Sequence, residues 1–198
     1  MKQKIAKLLM MMGVGLFAYN IVTYSTNFMS NLLPLSKFSI GLVAIIVPWY
    51  LKKSWFKNLD DSIYILYFLF ILATLYAGER FGFYSTFEHY DSMLHFSSGA
   101  LLTLIGYEVW CHFMKEKPAP IIVIMIFVFC FAMTLGIFWE LYEYTADGLM
   151  DLNLQRYMDR SGHEVLWDTM KDIVVNMAGS LTACVYIFKN HQKSVKKS

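Results

Sequence analysis

What most constrains this chain is its alternation of long apolar blocks with short charged segments. A stretch of about 20 apolar residues crosses a bilayer core as a helix. Six blocks approach that length, at Leu8–Tyr24, Phe38–Leu51, Ile63–Ala77, Met93–Phe113, Ile121–Tyr142 and Met170–Phe188. The second is short and carries Pro48, and the third is short unless "GERFGFY" extends it. The expectation is an all-α polytopic bundle of about six spans, forming one membrane domain over 1–198. Composition agrees: 16% of the residues are charged and 57% hydrophobic, whereas soluble domains carry about 25% charged residues. The basic, then apolar start "KIAKLLMMMGVGLFAYNIVTY" mimics a signal peptide. No A-x-A-like cleavage site follows it, so a retained first span is expected. Cys111, Cys130 and Cys184 form no CxxC pair and read as small residues of the spans, not as a disulfide framework.

Charge placement gives an orientation. With the N-terminus inside, twelve of the seventeen basic residues fall on the inner side: Lys2, Lys4, Lys7, Lys52, Lys53, Lys57, Lys115, Lys117, Lys189, Lys193, Lys196 and Lys197. That bias puts both termini in the cytoplasm of a plasma membrane. It makes "EKPAP" at Glu116–Pro120 an inner turn, 143–167 an extracytoplasmic loop, and 189–198 a basic cytoplasmic tail facing anionic lipid.

Three polar stripes interrupt the apolar pattern. Asp91, His95 and Gly99 stack at i, i+4 and i+8 where the fourth block opens. Glu140, Glu143 and Asp147 share a face where the fifth ends. Asp168, Asp172, Asn176 and Ser180 share a face where the sixth opens. Connectivity puts all three on the same side of the membrane, at similar depth. An acid at mid-bilayer costs roughly 2.5–3.5 kcal/mol, so these acids must face one another, water or a cation. Histidine with carboxylates suits zinc or manganese, and carboxylates alone suit magnesium. Ser97, Ser98, Gly99, Gly136, Ala178, Gly179 and Ser180 are small enough to let the three helices approach closely.

Plainer roles compete. Asp91 and Asp168 suit helix N-termini as caps. Asp172, a turn further in, would pair with Lys171 or Arg156 near the interface. Glu140 and Glu143 sit at a helix C-terminus, which disfavours acids, and salt bridges to Arg80, Arg156 or Arg160 would account for them. Asp147 before Gly148 suits a helix-ending turn. GxSxG, HExxH and Walker glycine motifs are missing, and only the lysine tail would suit nucleic acid, so no nucleic-acid partner is expected.

The segments "YDSMLHFSSG", "FWELYEYTAD" and "DRSGHEVLWDTMKDIVVNMAGS", spanning roughly Tyr90 to Ser180, resemble a family of bacterial integral membrane proteins, the YjdF-like family. A more distant likeness is to VanZ-like membrane proteins, which share an Asp…His helix start and a later Asp…Asn…Gly helix. The resemblance implies a small multi-pass protein of the bacterial cell membrane without settling its activity. It carries over to Asp91, His95, Gly99, Trp139, Glu140, Glu143, Asp168, Asp172 and Gly179. Asn176 stands where many close relatives are expected to have Asp, so an anion at that position is not required.

Two function classes remain open. One is a metal-assisted hydrolase or transferase on a lipid-linked or envelope substrate. There His95, Glu140 and Asp172 would hold a divalent ion (zinc, manganese or magnesium), with Asp91, Glu143 and Asp168 as base or supporting groups. The other is a non-enzymatic protein: a transporter, an ion- or ligand-binding protein, or a structural partner within the bilayer.

Overall fold

The computed structural model describes residues 1–28, 31–52, 59–114 and 119–195. Among these are seven α-helices and no strand: α1 (Lys2–Ser25), α2 (Leu32–Leu51), α3 (Asp61–Ile71), α4 (Phe83–Thr86), α5 (Tyr90–Phe113), α6 (Ile121–Met150) and α7 (Trp167–Val195). The chain divides into two compact units, Met1–Tyr90 and Asp91–Ser198. Their interiors are built from different residues.

The first unit is a three-helix core of aromatic and branched side chains. Helical spacing places Phe38, Gly41 and Ile45 on one face of α2, and Tyr64, Phe68 and Leu72 on one face of α3 and its continuation. They close around Ala6, Gly13 and Phe17 of α1. Gly13 and Gly41 make this closeness possible: a Cβ on either would come within 2.4 Å of Ile45 Cδ1 or Leu75 Cδ1. Pro48 does not break α2. It sits in the last turn, where it forgoes one N–H bond to the preceding turn, and its carbonyl still accepts from Lys52 N at 3.0 Å. Charged residues lie at the helix ends. Lys2 meets Asp60 at 3.4 Å and Lys52 pairs with Asp61, while Lys37 meets Glu79 at 2.7 Å where α2 begins. Asp60 caps α3 by accepting from Ser62 N at 2.7 Å. That backbone bond, with the Ser62 hydroxyl and Lys2 assisting, holds the Asp60 carboxyl below the usual carboxylate range. The third span is lengthened by a π-helical stretch, Leu72–Arg80, so it reaches Arg80 instead of Ala77.

The second unit packs α5, α6 and α7. Gly106 of α5 lies under the Phe131 ring of α6, Gly136 of α6 under the Asn176 side chain, and Gly99 and Gly179 at the α5–α7 crossing. A Cβ at Gly99 would stand 2.0 Å from the Asn176 carbonyl oxygen, and one at Gly179 would stand 2.0 Å from that of Phe96. Two backbones thus approach as small-residue faces allow. Toward one end the core is apolar, built on Ile124, Val128 and Ile187. Toward the other end it is polar.

Among the described residues, five helical segments are long and apolar enough to cross a membrane: Lys2–Ser25, Leu32–Leu51, Asp61–Arg80, Ile121–Met150 and Gly162–His191. Six spans were expected. The difference is α5, which has 24 residues but spends one face on Asp91, His95, Ser98 and Thr103 and so falls short on composition. Large apolar side chains such as Ile40, Val43, Ile126, Phe138 and Tyr186 point outward from the long helices. Exposed apolar surface on this scale suits lipid, not water.

The expected loop at 143–167 is shorter. Helix α6 runs on to Met150 and stops where Asp151 turns left-handed, at φ 51°. The acids in its last turns do not end the helix because they lie on its inward face or its rim. Two 3₁₀ turns, Tyr157–Asp159 and Gly162–Leu166, then lead into α7. The expected tail at 189–198 continues α7 as helix to Val195. Most of the "EKPAP" turn, 115–118, lies outside the described residues, as do Lys53, Lys57, Lys196 and Lys197.

Candidate functional site

The three polar stripes meet inside the second unit. His95 is the hub. Its Nε2 lies 3.7 Å from Asp91 Oδ1 and 4.0 Å from Asp172 Oδ2, and its Nδ1 lies 3.8 Å from Glu140 Oε1. Helical spacing on α5 stacks Asp91 one turn before His95, and α6 and α7 bring the other two carboxylates against the ring. One ligand atom from each of Asp91, His95 and Asp172 falls within 4.8 Å of the others. Ligand atoms held about 2.0–2.2 Å from a zinc ion stand roughly 3–3.5 Å apart. The observed 3.7 and 4.0 Å lie above that spacing, so the side chains would have to draw in around a shared cation.

Burial makes the cluster costly. Asp172 and Glu140 are 2% and 5% exposed. Neither oxygen of Glu140 makes a hydrogen bond among the described residues, and Oδ1 of Asp172 has only the Lys171 ammonium beside it. Buried polar atoms are normally satisfied, so the unbonded carboxylate of Glu140 behind the His95 ring needs an explanation. Two cations stand at the edge. Lys171 Nζ lies 2.9 Å from Asp168 Oδ1 and 3.4 Å from Asp172 Oδ1, and Arg156 Nε lies 3.9 Å from Asp168 Oδ2. Four carboxylates (Asp91, Glu140, Asp168 and Asp172) thus crowd around these two cations and one imidazole.

The six expected site residues are thus placed differently. Asp91, His95, Glu140 and Asp172 converge, but Glu140 faces the ring nitrogen opposite the one shared by Asp91 and Asp172. Asp168 is buried but belongs to Lys171 and Arg156. Glu143 is not drawn in. Three residues turn a helix about 60° short of a full circle, and its Oε1 accepts from the Trp139 indole at 2.9 Å on the partly exposed rim. Asp147 ties down the loop, its two oxygens accepting from Leu154 N at 2.8 Å and Gln155 N at 3.0 Å. Asn176 is buried, accepts from Ser98 Oγ at 3.2 Å, and is followed one turn deeper by a Thr103–Ser180 hydroxyl contact at 2.7 Å.

Two participants go beyond the sequence pattern. Gln155 Nε2 donates to Thr169 Oγ1 at 2.9 Å and to the Glu140 carbonyl at 3.4 Å, tying the loop to α6 and α7 beside the cluster. Lys171, expected only as an interfacial partner of Asp172, bridges two of the buried acids. Its position one residue before Asp172 is the signal for it. Gln155 has no such signal, because loop residues follow no periodicity.

Apolar helices carrying a half-buried histidine and buried carboxylates between them define a helical membrane protein with a polar centre. The chain belongs to the family of predicted membrane proteins DUF2238, whose match covers residues 6–193, nearly its whole length. No curated protein and no solved structure matches it.

Proposed function

We propose that this YjdF-like protein binds a divalent cation between Asp91, His95 and Asp172 and uses it for hydrolysis or group transfer on a lipid-linked or envelope substrate. The observation that supports this most is the convergence of Asp91 and Asp172 on Nε2 of His95, with an unbonded Glu140 carboxylate buried behind the ring. A divalent cation would offset the charge of the crowded carboxylates and give the Asp91 and Asp172 oxygens facing Nε2 a common partner. Glu140, facing Nδ1, would hold that nitrogen's proton and turn the Nε2 lone pair toward Asp91 and Asp172, as carboxylates behind metal-bound histidines do. Lys171 and Arg156 would hold the Asp168 side chain and keep α7 fixed. The metal itself would supply Lewis acidity or a water made acidic enough to attack near neutral pH. The lysine bias argues for a bacterial plasma membrane location with both termini cytoplasmic and the cluster on the extracytoplasmic side.

Metal analysis of the detergent-purified full chain, reloaded separately with zinc, manganese and magnesium, tests the reading. Stoichiometric metal is expected, with loss in His95→Ala and Asp172→Asn. Absence of stoichiometric metal under all three loadings would sink it. A non-enzymatic ion-binding or transport role draws support from one observation: the buried Ser98–Asn176 and Thr103–Ser180 pairs carry polarity deeper than the cluster. Ion flux in proteoliposomes that vanishes in Asp172→Asn would favour that role.

A further inference from the structure

A second feature of the same unit lies outside the His95 cluster. Arg160, His163, Glu164 and Trp167 line a cavity of about 310 Å³ where the loop enters α7. That volume is at the small end of ligand pockets, roughly 300–1,000 Å³. Arg160 and Glu164 carry opposite charges, yet neither forms an ion pair among the described residues, with the other or with anything else. Opposite charges on one cavity wall that do not close on each other leave room for a ligand bearing both signs. The fixed charges of the wall sum to zero, which matches a zwitterion better than an anion. His163 adds a ring N–H donor, and the Trp167 indole offers a π-face to a cation.

Location narrows the ligand. Leu166 and Trp167 are 60% and 57% exposed where a membrane-spanning segment starts. Exposed apolar and indole surface at such a point belongs at headgroup depth. We infer that this cavity binds a phospholipid with a phosphoethanolamine headgroup, phosphate on Arg160 and His163, ammonium on Glu164 and Trp167. The inference needs the membrane setting and does not depend on a metal at His95.

Native mass spectrometry of the full chain in detergent, titrated with phosphatidylethanolamine, phosphatidylglycerol or phosphatidylcholine, tests it. The ethanolamine lipid is expected to be retained best, because only its ammonium donates hydrogen bonds to Glu164. Charged hydrogen bonds of this kind justify a loss of about tenfold in Arg160→Gln. In Glu164→Gln the preference is expected to move toward phosphatidylglycerol, since the wall then carries a net positive charge. Equal retention of all three lipids by the wild type, or two variants indistinguishable from it, would overturn the inference. Displacement of the lipid by equimolar free O-phosphoethanolamine would overturn the lipid as the source of the headgroup. Metal content measured on the same samples is expected to stay at the wild-type value, so failure here and failure of the His95 site are read separately.

Discussion

The two units solve the same problem, packing helices in lipid, with opposite materials. Of the eight buried polar residues among those described, Asn20 alone lies in the first unit; the other seven are in the second. Asn20 is satisfied locally, donating to the Leu16 carbonyl at 2.8 Å and facing the Tyr76 hydroxyl at 3.4 Å. The first unit fills its centre with Phe17, Phe38, Ile45 and Phe68. The second draws its helices together with glycines and fills the gap with carboxylates, an amide and hydroxyls. Lipid tails are as apolar as leucine, so neither centre gains from a hydrophobic effect against lipid. The first gains dispersion contacts. The second takes on the desolvation of acids, and that cost indicates a centre kept for something other than stability.

The largest test of this contrast is Gly99→Leu. Its side chain would start 2.0 Å from the Asn176 carbonyl oxygen, a backbone atom that cannot swing away. Failure of α5 and α7 to pack is expected, an effect above about 4 kcal/mol. It would appear as lost yield and no thermal transition for the second unit in detergent. A variant that melts like the wild type would mean that the helices do not meet there.

Phe68→Ala probes the other material. In lipid the transfer contribution drops out and the cavity contribution remains. Vacating roughly 100 Å³ at about 24 cal/mol per Å³ predicts a loss of about 2 kcal/mol. Thermal melts in detergent measure it, with metal content at the His95 cluster as the internal control. A negligible loss would mean that the aromatic centre of the first unit is loosely filled.

These differences decide what can be read from the chain alone. Helical spacing and length set the spans, and chain connectivity alone requires the stripes of Asp91, His95, Glu140 and Asp172 to share one end. Periodicity cannot say which side of an imidazole a carboxylate will face, so spacing groups Glu140 with Asp172 and not behind the ring. Acids ordinarily mark the edge of an apolar run, which puts the end of α6 too early, near Tyr142. The structure turns Asp147 inward to hold Leu154 and Gln155, so the helix outlasts its apolar run. Loop contacts such as Arg156 with Asp168 depend on turn geometry, here a left-handed Arg156 at φ 52°, that no spacing rule announces.

Glu140→Gln asks whether the polar centre is costly when empty. With metal removed by chelator, Glu140 is a buried carboxylate with two orphaned oxygens. Replacing it with a neutral amide of the same shape is expected to raise stability by about 1–2 kcal/mol. The same change should weaken metal binding by misdirecting His95. Thermal melts with and without chelator separate the two effects. A variant less stable than the wild type in chelator would show that Glu140 stabilises the unit in its own right.

The smallest effect belongs to the first unit, at the exposed start of α3. Asp60 accepts from Ser62 N at 2.7 Å and faces Lys2. Asp60→Ala removes this cap and is expected to cost about 1 kcal/mol or less near neutral pH. The sign of its pH dependence follows from the lowered carboxyl. A depressed folded-state pKa means that the stabilisation is fully present above the ordinary carboxylate range and disappears as pH falls through the folded value. The gap in melting temperature between wild type and variant should therefore be widest near about pH 7 and close toward about pH 3. Asp60→Asn, which keeps an accepting oxygen without the charge, should show a smaller gap that stays constant with pH. If the alanine gap also persists in acid, the cap acts through the shape of the turn and not through its charge.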